Sequence, residues 1–120
     1  MPLNIETKIE EGVAIFELSG ALTLGPTLVS LRNAAKDVLA DSEVTGIILR
    51  VGGVTNADSA GLGELTIVYA TASKRGCPIR LVDVNPNLKK MLVVTHLNAV
   101  LMPAEDMAHA KREVKAQARP

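Results

Sequence analysis

Aromatic residues are nearly missing from this chain of 120 residues, which has no tryptophan, one phenylalanine and one tyrosine. Proteins that bind single-stranded nucleic acids stack the bases on aromatic side chains, and this sequence lacks the means to do so. Net charge is lacking as well, because thirteen basic residues balance thirteen acidic ones. A neutral chain exerts no long-range attraction on polyanions. We therefore expect no nucleic-acid partner.

Cysteine and long apolar runs are also scarce. The single cysteine, Cys77, excludes an intrachain disulfide, and no base lies near it in sequence to activate its thiol. No apolar segment approaches the ~20 residues that span a bilayer. The first residues lack the basic flank and apolar stretch of a signal peptide. The sequence thus predicts a cytoplasmic protein that does not insert into membranes.

Several catalytic and metal-binding motifs are absent or incomplete. No Gly-Lys pair occurs, which excludes a phosphate-binding P-loop. The segment 57–61 resembles the nucleophile turn of a serine hydrolase but lacks its first glycine. The two histidines, His96 and His109, have no second ligand at a metal-binding spacing. We expect no catalytic residues, no metal and no cofactor.

Three carboxylates could be proposed as an acid–base set: Asp58, Glu64 and Asp83. Nothing in their sequence neighbourhoods indicates a raised pKa, so this enzyme hypothesis has weak support. Asp83 follows apolar residues within an expected strand. We expect it to face solvent or to pair with nearby Arg80.

What the sequence does have is a high apolar fraction, 48%, arranged in alternating strand and helix patterns. Strands are expected near 3–10, 13–18, 45–51, 79–84 and 99–102, and helices near 26–39, 59–74, 85–95 and 103–115. Apolar residues at helical spacing predict the inner faces of the first two helices, which are Leu28, Leu31, Ala35, Val38 and Leu39, and Leu62, Leu65, Val68, Tyr69 and Ala72. The first strand alternates with period two and is expected at a sheet edge, joined to the second by a turn at Glu11-Gly12. Helices between later strands imply mainly parallel pairing.

The predicted fold class is therefore α/β, with one domain over residues 1–120. Its core is expected at about 3–115, and a frayed tail at 116–120. The sheet is expected to be mixed and mainly parallel, with about five strands, an N-terminal antiparallel hairpin and about four helices.

The most informative segment, 55–63, joins an apolar strand to an amphipathic helix. It places Asp58 and Ser59 at the start of that helix, where backbone amides and the helix dipole favour negative charge. A serine at this point can cap the helix or can receive a phosphate. The residues alone leave both roles open.

The chain resembles the STAS domain family, in particular its stand-alone anti-sigma factor antagonists. The likeness covers roughly residues 3–115 and rests on the turn 19–22, the segment 82–86 and above all the motif Asp58-Ser59-x-Gly61-Leu62-Gly63. It implies that the unphosphorylated protein binds an anti-sigma factor that is itself a serine kinase, which frees a sigma factor. It further implies that this kinase phosphorylates Ser59 and that a phosphatase reverses the modification.

The resemblance also implies a partner-binding surface and a small assembly, a monomer or weak homodimer. The residues it assigns to partner binding are Thr23, Asp58, Ser59, Ala60, Gly61, Leu62 and Gly63. The chain departs from the family pattern at Thr23 and Arg50, which we expect to alter the partner-facing edge, and at Ala60. Two alternatives are a scaffold protein of a stressosome-like assembly and the STAS subunit of a lipid-transport ATPase complex.

Overall fold

The chain alternates strands and helices after an N-terminal hairpin, as the sequence predicts. The structure is a computed structural model that describes residues 2–117. Its elements are β1 (Asn4–Glu10), β2 (Val13–Leu22), α1 (Thr27–Leu39), β3 (Gly46–Ala57), α2 (Ser59–Lys74), β4 (Ile79–Val82), α3 (Pro86–Val94), a 3₁₀ turn (Leu97–Ala99) and α4 (Met107–Gln117). The predicted α/β class is confirmed.

The strands form one sheet in the order β1-β2-β3-β4. Strands β1 and β2 pair antiparallel, and β3 and β4 continue the sheet in parallel. The hairpin turn uses Glu11 and Gly12, with φ angles of 51° and 82°, which is the left-handed pair of a type I′ turn. Because β2 and β3 are parallel, their last residues, Leu22 and Ala57, lie side by side. Helix α2 starts at this end of the sheet.

Helices cover the two faces of the sheet unequally. The first three helices bury apolar side chains against one face, with Leu31, Leu65 and Leu92 fully enclosed. The inner face predicted for α1 is confirmed; its buried residues are Leu28, Leu31, Ala35, Val38 and Leu39. Helix α4 lies on the opposite face, where Ala110 and Val114 pack against strand residues. Of the helices in residues 2–117, only α4 packs against that second face.

The fifth strand expected at 99–102 does not form in the described residues. Instead a 3₁₀ turn is followed by a single bridge between Leu81 and Pro103. The Leu81 N–H donates to Met102 O at 3.0 Å, and Ala104 N–H donates to Leu81 O at 2.8 Å. Asp83, whose backbone would make the next bonds of this ladder, has a left-handed conformation with φ 62°, so β4 ends at Val82 and the pairing stops after these two bonds.

The C-terminal helix also differs from expectation. It begins at Met107 rather than near Pro103, with Asp106 accepting a hydrogen bond from His109 N–H at 2.8 Å. It extends through Ala116 and Gln117, the first two residues of the expected frayed tail. The rest of that tail, 118–120, lies outside the described residues.

Strand β1 lies at the sheet edge as predicted, but its apolar face is only partly buried. Leu3 is buried and Ile5 is half-buried, whereas Thr7 is exposed and Ile9 is 48% exposed. The hairpin end of the strand therefore extends beyond the helices that cover the core. Within residues 2–117, no strand pairs with the outer edge of β1.

Cys77 is buried between the end of α2 and the start of β4. Its Sγ lies 3.5 Å from Val44 O, and burial raises the pKa of the thiol. A raised pKa keeps the sulfur in its unreactive thiol form.

In the described part of the chain, none of the helices combines the length and apolar character that crossing a membrane requires.

Candidate functional site

The first turn of α2 is capped by Asp58. Asp58 has extended backbone angles, φ −123° and ψ −177°, and its Oδ1 accepts a hydrogen bond from Gly61 N–H at 2.9 Å. This is the usual N-cap arrangement, in which a side-chain oxygen satisfies an otherwise free amide of the first turn. Ser59 follows as the first helical residue, and it is exposed. Of the two roles left open for Ser59, the cap is filled by its neighbour.

The same carboxylate ties α2 to the loop between β2 and α1. Asp58 Oδ2 accepts from Leu24 N–H at 3.0 Å, and Asp58 N–H donates to Leu22 O at 3.2 Å. Thr23, half-buried, lies between these two contacts. The structure thus brings Thr23 to the Ser59 region, 36 positions away in sequence. The amides of Leu24 and Gly61 lower the pKa of the Asp58 carboxyl below its ordinary value.

Gly61 is required by a close approach of two backbones. A Cβ at this position would lie 1.9 Å from Leu22 O, far inside contact distance. Only glycine allows the first turn of α2 to rest on the end of β2. Gly63, two residues later, faces open space, with nothing within 4 Å of a Cβ placed there. The two glycines therefore have different roles.

The seven residues predicted to bind a partner divide into three groups by exposure. Ser59 and Gly63 are exposed, whereas Thr23, Asp58 and Ala60 are half-buried. Gly61 and Leu62 are buried, and Leu62 belongs to the core. Gly61 and Leu62 lie beneath the surface, where a partner would not contact them directly. Partner binding by the group stays a prediction.

Exposed apolar side chains lie on the loop before α1, on α1 and on α2, and the sequence pattern did not indicate them. Leu24 is 80% exposed, Val29 is 53% exposed on α1, and Ile67 is 42% exposed on α2. Ser59, Gly63 and Ile67 follow one another at intervals of four, so they lie along one face of α2. The same helical spacing that identified the buried face of α2 could have identified this opposite face. Together with Ser59 and Gly63 we call Leu24, Val29 and Ile67 the α2 surface.

A partly buried ion pair joins α1 to α2, and the sequence pattern did not indicate it. Arg32 Nε and Nη2 donate to the two carboxylate oxygens of Glu64 at 2.9 and 2.8 Å. Glu64 is only 5% exposed, and its carboxylate raises the pKa of Arg32. A two-bond contact of this kind fixes orientation as well as distance. Glu64 lies four residues before Val68, which is buried. This helical spacing could have predicted that Glu64 lies on the buried face of α2.

The remaining acidic residue of the possible acid–base set, Asp83, lies elsewhere. It follows β4 rather than lying within it, is exposed, and accepts from Arg50 Nε at 2.8 Å. Of the two alternatives expected for Asp83, exposure to solvent is confirmed, whereas pairing with Arg80 is wrong, since Arg80 Nε donates to Glu113 at 2.8 Å. Asp58, Glu64 and Asp83 thus bond to different groups and do not form one cluster.

Arg50 was expected to alter the partner-facing edge, and this stays a prediction. It alternates with Leu49 and Val51, which face the first three helices. Arg50 therefore points to the opposite face of the sheet, between Glu17 and Asp83. Helices α1 and α2 pack against the other face of the sheet.

The histidines are both exposed or partly exposed and serve local structure. His96 ends α3 in a left-handed conformation, φ 61°. His109 Nδ1 lies 2.8 Å from Asp106 Oδ1, in the first turn of α4. Among residues 2–117, no group of three or more potential metal-ligating side chains comes together.

Residues 2–117 form a four-stranded mixed sheet with three helices on one face and one on the other. The start of α2 is capped by Asp58. The chain belongs to the STAS domain family: the family model, described as the STAS domain, matches residues 4–111. An anti-sigma F factor antagonist of Paenibacillus polymyxa is 26% identical over 115 residues, which cover 96% of this chain and 97% of that protein.

Two solved structures share the fold. An anti-sigma factor antagonist from Mycobacterium paratuberculosis has a TM-score of 0.76 at 20% identity, with 95% of both chains covered. The Bacillus cell fate determinant SpoIIAA in its phosphorylated form has a TM-score of 0.70 at 18% identity, with 93% of this chain and 99% of that chain covered. At these identities the likeness establishes the common fold, which confirms the STAS architecture predicted from the sequence.

The Asp58 cap predicts an acid-sensitive helix start. Because folding lowers the pKa of this carboxyl, its stabilising contribution is present above the ordinary aspartate pKa of about 4 and is lost as pH falls through the lowered value. Asp58→Asn removes the charge, so the difference in thermal midpoint between wild type and this variant should shrink from pH 7 to about pH 3. Asp37→Asn, an exposed change on α1, is the control. A difference that stays constant over this range would contradict the role of the ionised cap.

Proposed function

We propose that this protein is an anti-sigma factor antagonist whose binding is switched off by phosphorylation of Ser59. The observation that carries the proposal is the exposed position of Ser59 at the first residue of α2, with the cap supplied by Asp58. The protein acts as a binding module and as a kinase substrate, and it is not itself an enzyme. Its place of action is the cytoplasm, where sigma factors act.

The helix start can accept a phosphate without unfolding. Phosphorylation adds about −1.5 to −2 charge at pH 7, and helix N-termini favour anions through their free amides and dipole. In the cap, the Asp58 carboxylate accepts hydrogen bonds from the N–H groups of Gly61 and Leu24. None of these bonds has to break when Ser59 is modified. We therefore expect the phosphorylated protein to keep its fold.

The same modification is unfavourable for docking on the α2 surface. This surface combines a neutral hydroxyl, a glycine without side chain and the exposed apolar residues Leu24 and Ile67. A partner that covers it would bury the phosphate beside the Asp58 carboxylate, without a matching positive charge. A buried charge that lacks a partner strongly weakens an interface.

The relatives support the identity of the partner. The Paenibacillus polymyxa relative is named an anti-sigma F factor antagonist, and one structural neighbour is a phosphorylated form of SpoIIAA. By analogy, the partner of this chain is an anti-sigma factor with serine kinase activity, and a phosphoserine phosphatase restores the binding form. Release of the sigma factor then regulates transcription.

Mass spectrometry tests the modification. The protein is incubated with ATP and each serine-kinase anti-sigma factor encoded in its own genome, and a gain of about 80 Da is expected on the peptide that contains Ser59. Ser59→Ala should abolish the gain, whereas Ser73→Ala, an exposed serine in the last turn of α2, should leave it unchanged. Phosphate found on another residue in the wild type would overturn the assignment.

A further inference from the structure

The open edge of the sheet is formed by β1, which within residues 2–117 has a strand neighbour on one side only. The type I′ turn places Glu10 opposite Val13, and such a turn is closed by a hydrogen bond between these residues. Because backbone groups alternate along a strand, those of Ile5, Thr7 and Ile9 then point away from β2. Three residues thus offer free donors and acceptors to a further strand.

When β1 pairs antiparallel with a second copy of itself, its sequence, Asn-Ile-Glu-Thr-Lys-Ile-Glu, places opposite charges and apolar side chains opposite one another. An antiparallel copy centred on Thr7 places Glu6 opposite Lys8 and Ile5 opposite Ile9. Glu6 and Lys8 would form non-hydrogen-bonded pairs, in which side chains approach most closely. Ile9, 48% exposed in the single chain, would gain an apolar neighbour.

We propose that two copies of this chain associate by antiparallel pairing of their β1 strands, centred on Thr7. Thr7 exchanges two backbone hydrogen bonds with the partner's Thr7, and Ile5 and Ile9 exchange four more with the partner's Ile9 and Ile5. The two four-stranded sheets then form one continuous sheet. This inference does not depend on the function proposed above.

The charges of Glu6 and Lys8 favour a second copy of this chain as the pairing strand, and they favour one register of the two strands. Only shifts of two residues keep outward-pointing backbone groups opposite one another. A shift in one direction places Glu6 opposite the partner's Glu6, and a shift in the other places Lys8 opposite the partner's Lys8. Both bring like charges together, which disfavours the pairing. Of these three registers, only the Thr7-centred one matches opposite charges, as expected for a strand whose partner is a second copy.

The association leaves the α2 surface free. Asn4 pairs with Ser19 near the end of β2 where α2 starts, whereas the axis of the dimer passes through Thr7. The two chains run in opposite directions across this axis, so the two Ser59 side chains lie at opposite ends of the joined sheet. Each copy can be phosphorylated or bound independently.

Sedimentation velocity with charge-reversed variants tests the pairing. Wild type should show a concentration-dependent monomer–dimer equilibrium at submillimolar concentrations. Lys8→Glu and Glu6→Lys each turn two attractive pairs into repulsive ones, so each should weaken the dimer about tenfold or more. The double variant Glu6→Lys/Lys8→Glu restores opposite charges and should restore the dimer. Because the rescue requires a folded chain, it separates loss of pairing from loss of fold.

A backbone variant provides an independent test. Thr7→Pro removes an outward-pointing amide while leaving the bonds to β2 in place, and it should abolish the dimer, whereas Thr7→Ala should retain it. Three results would overturn the proposal: a wild type that stays monomeric throughout this range, a dimer that persists in Lys8→Glu, or a double variant that dimerises no better than the single ones.

Discussion

Replacing Gly61 with alanine is expected to destabilise the protein by about 3 kcal/mol, near the upper end of the range for overpacked sites. The added Cβ would lie 1.9 Å from Leu22 O and 2.9 Å from Leu22 Cγ. Backbone atoms cannot move aside as a flexible side chain can, so the first turn of α2 must shift away from β2. Thermal unfolding should show a midpoint lowered by about 10 °C.

Gly63→Ala is the matched control, in the same helix and two residues away. Nothing lies within 4 Å of a Cβ at this position, and alanine is favoured over glycine in a helix by up to about 1 kcal/mol. The two substitutions should therefore change the free energy of unfolding in opposite directions. If they destabilise the protein equally, the close contact with Leu22 does not explain the glycine.

Ser59→Asp is expected to weaken binding to the anti-sigma factor about a hundredfold or more, a loss of about 3 kcal/mol. The substitution places a permanent negative charge beside Asp58 on a surface that otherwise presents small and apolar groups. Ser59→Ala keeps that surface neutral and should bind nearly as well as wild type. The affinities are measured by isothermal titration calorimetry.

Ser73→Asp serves as the charge control for this experiment. Ser73 is an exposed serine near the opposite end of α2, so the same change there should leave the affinity nearly unaltered. Equal affinities for Ser59→Asp and Ser59→Ala would show that charge at this position does not control binding.

Helical and strand periodicity was sufficient to predict the main elements of the fold. The five buried residues expected on α1 are the five that the structure buries. Periodicity reports which side of an element is apolar, and that property is local. It could not show that the pairing after β4 stops at Pro103, because this depends on how two distant segments meet.

Only part of the candidate site could be predicted, because contacts between distant segments also determine its structure. The sequence places Asp58 and Ser59 at a helix start, but which of them is the cap depends on the residue at which the helix begins. That residue is fixed by the pairing of Leu22 with Ala57 at the ends of β2 and β3. The close approach of Gly61 to Leu22 and the bond from Leu24 to Asp58 are likewise contacts between segments more than 30 residues apart.

Ion pairs were the least predictable feature. Arg50 pairs with Asp83 because parallel strands place Arg50 beside Val82, whereas the sequence suggested that Asp83 faces solvent or pairs with Arg80. Arg32 and Glu64 meet because α1 and α2 pack side by side. In both cases the partner is determined by topology, which spacing along one element does not reveal.

The most direct measurement uses the protein stoichiometrically phosphorylated at Ser59. Its affinity for the anti-sigma factor and its thermal midpoint are compared with those of the unmodified protein. We predict that binding is lost while the midpoint changes little, since the Asp58 cap remains intact. Retention of tight binding, or loss of binding only because the phosphorylated chain has unfolded, would contradict a switch that acts at the surface of a folded protein.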